Sequence, residues 1–139
     1  QMCIRDSPCT VHAGEAAGPE SVWEAIDVLG AHRIGHGVRC HSDAALLDRL
    51  RTDRIALEMC PTSNVQTGAV PTLRDHPATR LLADGLPVTI STDTRNVRHG
   101  LRCEFDALRL SASWGPGHEA RVQEHAARAA FASPFRATH

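Results

Sequence analysis

The stretch Thr10-Val-His-Ala-Gly-Glu15 sets an imidazole three residues ahead of a carboxylate, at the end of a short β-branched run. A histidine placed there can ligate a metal, and a glutamate beside it can carry a proton. Three further polar positions stand in comparable places. His36 lies between glycines in Arg33-Ile-Gly-His36-Gly37, Asn64 closes Cys60-Pro-Thr-Ser-Asn64, and Asp93 ends Ser91-Thr-Asp93. Each has a plainer reading when taken singly: His12 as a hydrogen-bonded strand-end histidine, His36 as part of a tight turn, Cys60 to Asn64 as a structural loop, and Asp93 as a helix cap. Taken together, histidine, glutamate and aspartate at successive strand ends are the side chains that metal-assisted hydrolysis and acid–base catalysis require.

The elements that must position these residues follow from periodicity. Short β-branched or apolar runs begin near Cys9, His32, Ile55 and Leu86, and each is followed by a stretch with apolar residues at helical spacing. The first helix, with Ser21 as its cap, repeats Val22, Ala25, Ile26 and Leu29 up to Gly30; the second, from a Ser42 cap, carries Ala45, Leu46, Leu47 and Leu50. Pro61 must leave the third strand because it has no amide hydrogen to donate, so Thr62-Ser63-Asn64 reads as a polar loop. A helix over 75–84 stops at Gly85, and the fourth strand, Leu86 to Asp93, ends in a carboxylate. Two helices follow, Leu101 to Ser113 with Leu101, Phe105, Leu108 and Ala112 as its apolar side, and an alanine-rich one over about 118–132.

Strands alternating with helices imply a parallel α/β sheet with right-handed crossovers. His12, His36, Asn64 and Asp93 all fall at or just past the C-terminal ends of the strands, the active rim of a TIM (β/α)8 barrel. A whole barrel takes about 250 residues, so the expected fold is a partial barrel of roughly the last four βα units. The seven residues 1–7 show no periodicity and read as a non-native leader, with 8–139 as the barrel half. Half a barrel leaves strand edges unpaired, which invites self-association.

Composition narrows the class. In 139 residues, 42% apolar, Lys and Arg number 15 against 16 Asp and Glu, a net charge of −1 that gives no basic surplus for nucleic acid. Neither a membrane span nor a secretory leader is visible, and a cytoplasmic protein is expected. Cys3, Cys9, Cys40, Cys60 and Cys103 are scattered without a CxxC, and read as reduced, mostly buried thiols. Of the nine histidines, His32, His41, His76, His99, His118, His125 and His139 sit in polar surroundings typical of surfaces and caps.

The motifs His12-Ala-Gly-Glu15, Arg33-Ile-Gly-His36-Gly37, Cys60-Pro-Thr-Ser-Asn64 and Ser91-Thr-Asp93, in this order, resemble the C-terminal half of adenosine deaminase and of its adenine and aminofutalosine deaminase relatives. The resemblance covers roughly residues 9–113 and the final helix. It implies a zinc-dependent hydrolase of purine metabolism that converts adenosine to inosine and ammonia, with adenine or a modified nucleoside as the alternative substrate. His12 and Asp93 would be zinc ligands, Glu15 would bring a proton to the purine ring nitrogen, and His36 would orient and deprotonate the attacking water. Gly14 and Thr94 would contact the substrate.

The chemistry is coherent with those residue types. Zinc lowers the pKa of a water it binds from 15.7 to about 7, and attack on an aromatic carbon needs the neighbouring ring nitrogen protonated by an acid. The spacing H-x-x-E and the lack of a CxxC separate this chain from the other zinc deaminases, which carry H-x-E and P-C-x-x-C. Two departures stand out. The His-x-His pair that completes the zinc site in the family is absent, and Thr94, followed by Arg95 as in bacterial members, replaces an acid of many relatives. The isolated chain is therefore expected to bind zinc weakly and not to turn over, and a half-barrel that only self-associates is the reading from another class.

Overall fold

The computed structural model describes residues 8–93, 100–111 and 113–131. Residues 1–7 with Cys3, and Thr94, Arg95, His99, Ala112 and His139, lie outside them. Four strands, β1 (Thr10–Ala13), β2 (Arg33–His36), β3 (Ala56–Met59) and β4 (Val88–Ile90), form one sheet in sequence order, every pair parallel. Between them run α1 (Pro19–Asp27), α2 (Ala44–Thr52), α3 (Pro61–Gln66) and α4 (Ala78–Ala83), and beyond β4 come α5 (Leu101–Ser111) and α6 (Pro116–Ala129). The structure bears out the α/β class and the strand order of a partial barrel.

Register sorts the residues into two faces. Val11, Ile34, Leu57 and Val88 are aligned across the strands, and Met59 pairs with Ile90. With Leu46, Leu50, Leu81, Leu82, Leu108 and Val122 from the helices, most of this face makes one core, and each of these helix residues is all but fully buried. The alternate positions carry the opposite character, because side chains on a strand alternate between faces. Thr10 aligns with Arg33 and Ala56, while His12 aligns with Gly35, Glu58 and Thr89. That face would look into a closed barrel, and its charged members are paired: Arg33 Nε donates to Thr10 Oγ1 at 2.9 Å and faces Glu58 Oε1 at 3.2 Å. The same guanidinium donates to the Ala129 carbonyl at 3.0 Å and lies over the Phe131 ring at 3.6 Å, which ties the end of α6 across the floor of the sheet.

Element boundaries differ from expectation in ways that bear on the site. Helix α1 starts earlier, with Pro19 in its first turn and Gly18 at the cap. Ser21 instead donates to the Gly18 carbonyl at 2.7 Å and accepts the Gly14 amide at 2.9 Å. Asp43, not Ser42, caps α2, its carboxylate accepting from the Leu46 amide at 3.0 Å. The expected polar loop after Pro61 is helix α3, since proline at a first helical turn lacks only an amide that has no partner there. The helix expected over 75–84 is a short 3-10 turn, Leu73–Asp75, followed by α4, because Pro77 cannot supply the amide that a continuous helix needs.

Candidate active site

His12 stands one residue before the end of β1, with its ring exposed above Gly35 on β2. A Cβ on Gly35 would stand 2.2 Å from His12 Cδ2, so the glycine is the space the ring occupies. His36 follows on β2, its ring 4.9 Å from that of His12 and inclined at 76°. Both His36 (φ 67°) and Asp93 (φ 60°) have left-handed backbones, uncommon for residues with a side chain and frequent where a functional group is aimed against local preference. His12, His36, Glu58, Cys60, Ser91 and Asp93 line one open cleft of about 490 Å³ at the C-terminal ends of the strands.

Glu15, in the loop after β1, is not part of that lining and joins it through His36, whose Nε2 stands 3.3 Å from Glu15 Oε2. Glu15 Oε1 accepts from Asn64 Nδ2 at 3.0 Å and from Thr67 Oγ1 at 3.1 Å. Gly14, expected to contact substrate, is buried with φ 65°. Its amide is given to Ser21 and its carbonyl accepts the Arg39 amide at 2.9 Å. Thr94 lies outside the described residues.

Helix α3 organises these groups, and here the structure goes beyond the sequence. Asn64, to which no chemistry was assigned, is completely buried and reaches both Glu15 and His36, its Nδ2 lying 3.0 Å from His36 Nδ1. Ser63 Oγ donates to Asp93 Oδ2 at 2.7 Å. The helix itself is held from α5 by Glu104, a buried carboxylate that accepts from the Thr62 amide at 3.0 Å and from the Thr62 hydroxyl. The signal available in the sequence was spacing: Ser63, Asn64 and Thr67 share a helical face once Pro61 is read as a first turn.

His76 corrects another expectation. It is not a surface or cap residue but is buried, its Nε2 3.3 Å from Asn64 Oδ1, because α4 and the 3-10 turn before it fold the histidine under the site while Asp75 and Arg74 stay exposed. Burial pushes its imidazole down to about 4 from 6.5. Its folded value lies below the unfolded one, so the unfolded chain binds the extra proton between these limits. Stability is whole above pH 6.5 and falls as pH drops toward 4, by on the order of 3 kcal/mol. Urea titrations across that window are expected to show this loss, and His76→Gln to flatten it.

Among the described cysteines, none is disulfide-bonded; Cys40 and Cys60 are buried, Cys9 is half-buried and Cys103 exposed, so burial holds for only half of them. Burial, then Asp93, Glu104, Glu15 and Glu58, push the Cys60 thiol up to about 12, so the free thiol stays protonated at neutral pH. His12 and Asp93 are donor types that zinc accepts, yet among the described residues no three His, Cys, Asp or Glu side chains converge on a point that could hold an ion. A catalytic zinc takes about three protein ligands, so the described residues alone do not complete such a site.

A partial TIM barrel with histidines and carboxylates on its C-terminal rim belongs to the architecture of barrel hydrolases, and comparison with known proteins makes this particular. The family profile described as Adenosine deaminase matches residues 1–137, and the chain belongs to that family. It is 45% identical over 126 residues to an adenosine deaminase of Serratia proteamaculans, a match covering 89% of this chain and 38% of that protein. Among solved structures it resembles an adenine deaminase from Arthrobacter aurescens, with TM-score 0.86, 34% identity, and 93% of this chain against 40% of that one covered. Arabidopsis ADAL complexed with IMP superposes with TM-score 0.76 at 26% identity, over 91% of this chain and 37% of that one. The chain thus spans well under half the length of these relatives.

Proposed function

We propose that this chain carries the C-terminal catalytic half of a zinc-dependent hydrolytic purine deaminase that converts adenosine and water to inosine and ammonia. The observation that supports it most is the Glu15, His36 and Asn64 cluster set against the cleft of His12 and Asp93, in a chain 45% identical to an adenosine deaminase. His12 and Asp93 would be two ligands of the ion, the others lying elsewhere in the whole protein. Glu15 is the proton carrier toward the purine ring nitrogen; Oε1 is held by two hydrogen bonds, which leaves Oε2, the acceptor facing His36, as the oxygen that takes up and gives the proton. His36, whose Nε2 stands 3.3 Å from Oε2, shares its proton with Glu15. The likeness to the Arthrobacter adenine deaminase supports a second reading in which the free base is the substrate.

Both readings meet one test. Residues 8–139, grafted in place of the matching segment of the Serratia relative, are expected to release ammonia from adenosine; release from adenine alone selects the second reading, and a folded, silent graft overturns both. The 139-residue chain by itself, supplied with zinc, is expected to show no sustained turnover. Turnover would mean that its own residues complete the metal site.

In this chain β1 and β4 are the edge strands of the sheet, where a closed barrel has none. We propose that copies associate through these edges. Sedimentation is expected to show oligomers, and a monodisperse monomer with a cooperative melt contradicts this.

A further inference from the structure

Two backbone amides give the polar cluster a direction. The Cys60 N–H, 3.3 Å from Asn64 Oδ1, can only donate, and therefore places the Asn64 oxygen toward Cys60 and its NH2 toward Glu15 and His36. The reverse orientation would set two donors against each other at Cys60 and two acceptors against each other at Glu15. The Ala78 N–H likewise donates to His76 Nδ1 at 3.2 Å, so the His76 proton is on Nε2 and points to Asn64 Oδ1. Asn64 Nδ2 in turn donates to His36 Nδ1, which leaves the His36 proton on Nε2, facing Glu15 Oε2.

We propose that Asn64 and His76 are positioning residues, a one-way hydrogen-bond chain from the Ala78 amide to Glu15 that holds His36 as its Nε2–H tautomer. Buried polar networks of this kind fix a unique arrangement only when every member is satisfied. Here each side-chain nitrogen and oxygen of Asn64 has a partner, and the helix bearing it is clamped by Glu104 through Thr62. The consequence is that the proton shared by His36 and Glu15 lies on a set line, and that His76, buried below the cleft, helps to set it. That this line serves purine protonation rests on the deaminase reading; the tautomers themselves do not.

The test is 15N magic-angle-spinning spectroscopy of the histidine-labelled chain at pH 8, which needs no monomeric sample. His36 and His76 are expected as Nε2–H tautomers, with Nδ1 unprotonated in both. Asn64→Asp presents acceptors where the NH2 donated, and should move the majority of His36 to an Nδ1-protonated form while His76 keeps its tautomer. His76→Gln, which can still donate to Asn64, should leave His36 unchanged. An Nδ1-protonated His36 or His76 in the unsubstituted chain overturns the proposal, even where the variants fail to fold. So does an unaltered His36 in folded Asn64→Asp. The graft assay judges the deaminase reading separately, so the failure of one is distinguishable from failure of the other.

Discussion

Glu15→Gln in the grafted enzyme is expected to lower kcat by about 10²- to 10⁴-fold, the range over which a positioned general acid acts. The substitution keeps the shape and the acceptor toward Asn64 and Thr67 at the Oε1 position, so the loop after β1 has no reason to move. What it removes is the oxygen that faces His36 Nε2, replacing an acceptor by an NH2 that cannot carry a proton to a ring nitrogen. The loss, about 3–5 kcal/mol of transition-state stabilisation, should fall on kcat with KM little changed, because the group is needed as bonds change and not for ground-state binding. Steady-state ammonia release measures both constants. A loss below tenfold would remove Glu15 from the role of proton carrier.

That Glu15, His12, His36 and Asp93 could be picked out in advance reflects where information lies in a parallel α/β fold. A strand end is marked locally, by a β-branched or apolar run that stops at a polar residue. His12, His36 and Asp93 each carry that mark. The alternation of strand-like and helix-like runs is equally local, which is why the partial barrel was legible.

The role of Asn64, though its place on the rim was legible, and the burial of His76 were not, for a common reason. A polar residue in Pro-Thr-Ser-Asn or between Asp75 and Pro77 has the composition of a loop. Its burial depends on groups far along the chain, Glu104 holding Thr62 across 42 positions and Glu15 meeting Asn64 across 49. Helix starts failed more modestly. Ser21 and Ser42 are good caps by type, but Pro19 and Asp43 win because one is preset for a first turn and the other offers a carboxylate to the Leu46 amide.

Gly35→Ala tests whether His12 must stand where the structure puts it. Gly35 is not in the left-handed region, so alanine meets no backbone strain there; the obstacle is the His12 ring, 2.2 Å from the new Cβ. His12 is exposed and can swing away, which keeps the stability cost small, with Tm expected within a few degrees of the parent. The ring cannot swing and still hold its place beside His36 and above Glu58. Since a displacement of about 1 Å in a reacting constellation can cost 10²-fold, kcat/KM of the graft is expected to fall by about that factor, with weaker zinc retention on dialysis. Gly37→Ala gives the contrast. There φ is 67° and the Cβ would meet Leu57 Cδ2 at 2.7 Å inside the core, so stability should fall first. If Gly35→Ala retained full activity and zinc, His12 would not act from this position, and its assignment as a ligand would fail with it.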